Sequence, residues 1–156
     1  MGWWFKQGAT KKDIVAEYLK NENLIDHALV GNNLWMLVQS GENKVVCLVL
    51  IRAERDYGYG SKDIDETMGP GNVNCPERLI DNATEPLNDY SKNWRTRVRE
   101  YHEERRNTPK WKAGDRIKWW NGSVFTINHK RGRGWITTCY RSVSTKALNN
   151  SGKLLE

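Results

Sequence analysis

Residues 62–66, Lys-Asp-Ile-Asp-Glu, crowd three carboxylates and an amine into five positions. Carboxylates so spaced can hold Mg²⁺ or Mn²⁺ against a phosphodiester, with Lys62 stabilising the developing charge. In an extended backbone Asp63 and Asp65 point to the same side. The same residues have a structural use, capping helix ends or pairing with arginines, and Arg95 or Arg99 would serve as partner. Acidic clusters in glycine-rich stretches more often have that use, so the structural reading is preferred. Cys75 precedes Pro76 at the expected start of a short helix, where the dipole would lower a thiol's pKa, yet no histidine partner is identifiable for it. Cysteines 47, 75 and 139 and histidines 27, 102 and 129 lack the spacing of a zinc site or a disulfide framework. No metal, cofactor or catalytic residue is assigned.

A second constellation is cationic. Lys130-Arg131-Gly132-Arg133-Gly134-Trp135 projects three cations and an aromatic from an expected hairpin tip, and Trp119 and Trp120 lie on the preceding strand. Cations neutralise phosphates and release counterions, while exposed aromatics stack on unpaired bases. Arg95 and Arg99, on a basic helix, would extend that surface. Taken singly, each tryptophan is better read as core, with the loop merely solvated. The charge distribution favours the combined surface. Residues 1–90 carry nine Lys and Arg against fourteen Asp and Glu, whereas residues 91–156 carry sixteen against five. A field concentrated on one half points to an anionic partner.

These groups need elements to position them. Trp3, Trp4 and Phe5 suit an edge strand, and Thr10 suits the cap of a helix over residues 10–21 with Ile14, Tyr18 and Leu19 on one face. Strands are expected at 26–30, 33–39 and 44–52, the last so continuously apolar that both its faces must be covered. Residues 57–76 match neither helix nor strand; their glycines demand positive φ or close approach. Asn74 and Pro76 would open a short helix over 76–81. Tyr90, Trp94, Val98 and Tyr101 make the apolar stripe of a basic helix over 88–106, stopped by Thr108-Pro109. A turn then a strand over 112–120, with strands at 123–129 and 135–143, form a small meander, with Asn121-Gly122 as a tight turn.

The expected fold is α+β: an N-terminal antiparallel sheet with a covering helix, a glycine-rich junction, a long basic amphipathic helix and a C-terminal β meander. Residues 1–87 and 88–146 form its two halves within one compact unit, and 147–156 form a frayed tail. Tyr57, Tyr59, Asp63, Asp65, Glu66, Pro70, Cys75 and Pro76 are assigned to a junction holding the halves together. No apolar run approaches the roughly 20 residues that span a bilayer, and the opening residues lack a secretory signal, so a cytoplasmic setting is expected.

The segments YGYGSKDIDETMGPGNVNCPERLID, NWRTRVREY, KAGDRIKWWNGSVFTI and GWITTCYRSVS resemble a widespread family of small phage, plasmid and prophage proteins. Its pattern joins Tyr-Lys-Asp-Met-Asp-Glu, Gly-Pro and Cys-Pro to a Trp-Arg helix and a Gly-Asp and Tyr-Arg β segment. The likeness covers most of residues 1–143; Ile64 stands where Met is usual, and Gly60-Ser61 departs from an aromatic. The family lends no catalytic residues. It implies a mobile-element setting inside a host cell, where small proteins act on host defence or on nucleic acid. Three functions follow as expectations. The first is a nucleic-acid-binding accessory. The second is an inhibitor, such as an anti-CRISPR or other anti-defence factor, bound to a host protein or ribonucleoprotein. The third is a metal-dependent phosphodiesterase using residues 63–66.

Overall fold

A computed structural model describes residues 2–107 and 110–155. Among the described residues the fold is α+β, with two five-stranded antiparallel sheets and four helices. Its contacts divide into two compact units, Met1–Arg105 and Arg106–Glu156. The basic helix therefore groups with the N-terminal sheet, not with the meander as the expected boundary at residue 87 had it. Thr108 and Pro109, the expected helix stop, lie outside the described residues. Among the described residues no helix is long and apolar enough to cross a membrane.

The first unit runs β1 (Trp4–Phe5), α1 (Lys11–Leu19), β2 (Leu24–Val30), β3 (Asn33–Ser40), β4 (Asn43–Glu54) and β5 (Gly58–Asp65). A 3₁₀ turn (Glu66–Met68), α2 (Glu77–Asp81) and α3 (Asp89–Asn107) follow. Strand order is β1-β5-β4-β3-β2. At the start of α1, Thr10 Oγ1 accepts the Asp13 N–H at 3.2 Å, and Asp13 Oδ2 accepts the Thr10 N–H at 2.8 Å. That reciprocal cap satisfies two helix-end donors.

Because β3 and β4 are central, both faces are buried. One face sets Trp35, Leu37, Val46 and Leu48 against Leu79 and Ile80 of α2 and Trp94 and Val98 of α3. The other sets Leu34, Met36, Val49 and Ile51 against Ile14 of α1. Double coverage is why residues 45–51 show no polar alternation. Trp35 and Trp94 stack with ring centroids 5.7 Å apart, and their indole N–H groups donate to Asn74 Oδ1 at 3.0 Å and to the Asn72 carbonyl at 2.9 Å. Asn74 thus satisfies a buried tryptophan and does not cap α2, whose N-cap is Pro76 without a side-chain bond. The stripe of α3 is narrower than its spacing implies, since Tyr90 is exposed while Trp94 and Val98 are fully buried.

The stretch 57–76 is not irregular throughout, because its first part is strand β5, in register with β4 from Glu54↔Gly58 to Cys47↔Asp65. Gly60 pairs with Phe5, whose ring lies over the place a Cβ would occupy, within 2.1 Å of it. A glycine here lets the aromatic ring cover the strand, so composition argues against a strand that tertiary packing requires.

The second unit comprises β6 (Arg116–Trp119), β7 (Val124–Arg131), β8 (Gly134–Thr137), β9 (Ser142–Ser144), α4 (Thr145–Ser151) and β10 (Gly152–Leu155), in sheet order β10-β6-β7-β8-β9. Its core is Trp111, Ile117, Ile127, Trp135 and Leu148. The expected strand over 135–143 is two strands. The Thr137 N–H donates to the Arg141 carbonyl at 2.8 Å across a turn that holds Tyr140 at φ +59°. The expected frayed tail is instead a helix and a strand. Ser144 Oγ caps α4 through the Ala147 N–H at 3.0 Å, Leu148 is fully buried, and β10 closes on the first strand of the meander.

Candidate functional site

The carboxylate cluster does not converge on one point. Glu66 is 2% exposed and its two oxygens are engaged by protein donors. Arg95 Nε donates to Oε2 at 2.7 Å and Nη2 to Oε1 at 2.9 Å, a bidentate fork. The Val46 N–H donates to Oε1 at 3.0 Å, and the Ser91 hydroxyl donates to Oε2. Arg95 also donates from Nη1 to the Thr84 carbonyl at 2.7 Å. Four donors, one from the sheet and three from α3, leave Glu66 no free lone pair to offer a metal or a water.

Asp65 caps the 3₁₀ turn, accepting the Thr67 N–H at 2.7 Å and the Thr67 hydroxyl on the same oxygen. Asp63, two residues back on β5, is exposed and opposite Val49. Cys47, opposite Asp65, and Cys75, fully buried, have thiols pushed up to about 12, in both cases by burial first and by nearby carboxylates second. This is the reverse of the lowered value that a helix start suggested for Cys75. Burial in an apolar site penalises the thiolate more than a five-residue helix can favour it. The Cys75 thiol lies 3.5 Å from the Pro76 carbonyl, and the His102 ring meets the Cys75 carbonyl at 2.7 Å, not its sulfur. Among the described residues, no group of three or more His, Cys, Asp or Glu is placed to share a metal ion.

The other junction residues also find their partners inside the first unit. The Pro70 carbonyl accepts from Arg97 Nη2 at 3.0 Å, Tyr59 packs in the α1-side core, and Tyr57 lies 6.5 Å from the Phe5 ring. Arg99 donates to Asp81 at 2.5 Å and to Glu77 at 3.4 Å, and the Asp81 hydrogen bond holds its guanidinium above the ordinary value. All these partners lie within residues 1–105. The stretch assigned to join two halves is an internal clamp of the first unit, and Arg95 and Arg99 are occupied inside it.

The cations at the tip of the second unit's β7–β8 hairpin are uncommitted. Lys130, Arg131 and Arg133 stand exposed on the β7–β8 hairpin and make no ion pair among the described residues. Of the three tryptophans assigned to binding, Trp135 is buried in the core. Trp119 is half-buried, 5.6 Å from the Phe125 ring. Only Trp120 is open to solvent, at 77% exposure. Nor do these residues form one surface. The Trp120 turn and the Arg131–Arg133 hairpin sit at opposite ends of the eight-residue β7, about 25 Å apart at ~3.3 Å per residue.

At the Trp120 end are two residues that sequence reasoning did not single out. The pairing of β10 with β6 puts Lys153 directly opposite Lys118. Lys118 was visible as part of a strand, but Lys153 belonged to the expected tail, so no local signal brought them together. Gly152 permits the pairing, since a Cβ there would meet Ile117 Cγ2 and the Leu148 carbonyl at 2.9 Å. Lys118, Trp119, Trp120, Asn150 and Lys153 line a groove of about 390 Å³. Comparison of the chain with family models, curated proteins and solved structures finds no match.

Proposed function

We propose that the chain is a nucleic-acid-binding protein and that residues 106–156 carry the binding. The observation behind this reading is charge. That unit has eleven Lys and Arg against two acidic residues, Asp115 and Glu156. Asp115 is buried and spends its carboxylate on the Lys112 N–H at 2.8 Å, so it neutralises little of the surface. Arg78, Arg95 and Arg99 pair with carboxylates inside the first unit, whereas Lys130, Arg131 and Arg133 stand exposed. A field of one sign on a small sheet concentrates a polyanion, and each phosphate neutralised releases counterions. The exposed hairpin cations Lys130, Arg131 and Arg133 are natural phosphate contacts. The phosphodiesterase reading loses its support because Glu66 is sealed by four donors and Asp65 is spent on a cap.

The test is retention of the purified chain on immobilised DNA and RNA at low ionic strength. Binding should weaken linearly in log–log form as salt rises, and Lys130→Gln with Arg131→Gln should flatten the slope by roughly 0.7–0.9 per phosphate contact removed. Absence of salt-sensitive retention overturns the reading.

A further inference from the structure

We infer that the groove beside Trp120 is a subsite for single-stranded nucleic acid, with Trp120 as a stacking platform and Lys118 and Lys153 as a phosphate clamp. The inference rests on the function proposed above and narrows it to a strand whose bases are unpaired. Three features of the second unit meet there.

The first is the lysine pair. In an antiparallel ladder, directly opposite side chains have Cβ atoms about 5 Å apart, and like charges so placed repel. The register fixes Lys118 opposite Lys153, both exposed, and Arg116 follows two residues along on the same face of β6. No carboxylate pairs with any of the three among the described residues. A polyanion would turn this repulsion into attraction.

The second is the mounting of Trp120. The Gly122 N–H donates to the Trp119 carbonyl at 2.9 Å, and the Ser123 N–H donates to Asn121 Oδ1 at 3.0 Å. Those bonds close a tight turn that holds Trp120 outward while its neighbour Trp119 turns inward onto Phe125. A single exposed apolar side chain is ordinary; an indole carried on a braced turn and bordering a cationic groove is a stacking platform. The turn's bonds leave little backbone freedom to be lost when a base settles on it.

The third is the groove itself, bounded by the Trp120 turn on one side and by Asn150 and Lys153 on the other. Base stacking requires a free π-face, which a duplex interior does not offer, so this arrangement selects unpaired bases. The hairpin cations at the far end of β7 would meet phosphates farther along the same strand.

The experiment uses the full chain and fluorescein-labelled twelve-residue oligothymidylate, with a twelve-base-pair duplex as comparison, by fluorescence anisotropy at low salt. The expected result is tighter binding of the single strand. Trp120→Ala should weaken it about tenfold, from the ~1–3 kcal/mol that one base stack contributes, and Trp120→Phe should restore most of the loss. Lys118→Gln with Lys153→Gln should reduce the salt slope by about 1.4, at roughly 0.7 per contact on a single strand. Trp120 is exposed, so an unchanged melting temperature confirms that these variants are folded. Salt-sensitive binding that ignores Trp120→Ala, or that favours the duplex, overturns the subsite and leaves the proposed function standing. No binding of either probe overturns the subsite, and no retention on immobilised DNA or RNA overturns the proposed function with it.

Discussion

Glu66 shows how a residue that invites a catalytic reading comes to have a structural one. A buried carboxylate is tolerated only if its charge and lone pairs are met, and Arg95, Ser91 and Val46 meet them. Glu66→Gln keeps the shape but leaves the Arg95 guanidinium, 12% exposed, without its counter-charge. We expect it to cost roughly 3–5 kcal/mol, measured by urea denaturation. Asp65→Ala should cost about 1 kcal/mol as a lost cap, and exposed Asp63→Ala less than about 0.5 kcal/mol. The buried thiols give a pH signature. Their pKa values rise from 9.0 to about 12 on folding. Below pH 9 both folded and unfolded chains hold the protons. Between pH 9 and 12 only the unfolded chain releases them, so stability falls as pH rises, by ~1.4 kcal/mol per unit for each thiol. Cys75→Ala should make the fall shallower than in the wild type across that window. The cluster was legible as a cluster; which of its members is sealed depends on Ser91 and Arg95, 25 and 29 residues away.

At the scale of elements, two glycines decide which strands can pair. Gly60 lets Phe5 lie over β5, and Gly152 lets β10 approach Ile117 and Leu148. Their use is space rather than positive φ, so neither is visible as a turn signal. Gly152→Val should cost about 1–3 kcal/mol by overpacking and detach β10 from β6. Hydrogen exchange at residues 116–119 should then quicken, and nucleic-acid binding should drop with the loss of Lys153 from the groove. Gly60→Val should expose the Trp4–Phe5 edge and leave the second unit's exchange unchanged. The helices were easier to read. Thr10 and Asp13 announce the start of α1, and the 4-residue spacing of Trp94 and Val98 announces the buried face of α3.

For the whole molecule, the boundary determines what the charge means. Cut after Arg105, the first unit carries fourteen Lys and Arg against seventeen acidic residues, and the second eleven against two. Placing α3 up to Arg105 in the first unit takes Arg95, Arg97, Arg99 and Arg105 out of the basic half, yet the remaining 51 residues stay strongly positive. The first unit holds both faces of its own sheet. Residues 1–105 expressed alone should melt cooperatively and pass through a single-stranded DNA column at low salt, whereas the full chain is retained. Retention of that fragment would place the binding surface on the wrong unit.

Composition and periodicity alone determined the α+β class, the apolar central strand, the long helix and the uneven charge, because each is written in neighbouring residues. Only tertiary structure decided that Glu66 is sealed, that the glycine-rich stretch begins as a strand, and that the last residues return to pair with β6. Those outcomes depend on partners far along the chain: Phe5 on Gly60, Arg95 on Glu66 and Lys153 beside Lys118. A side chain's role is set by what packs against it, and one-dimensional spacing carries no record of that.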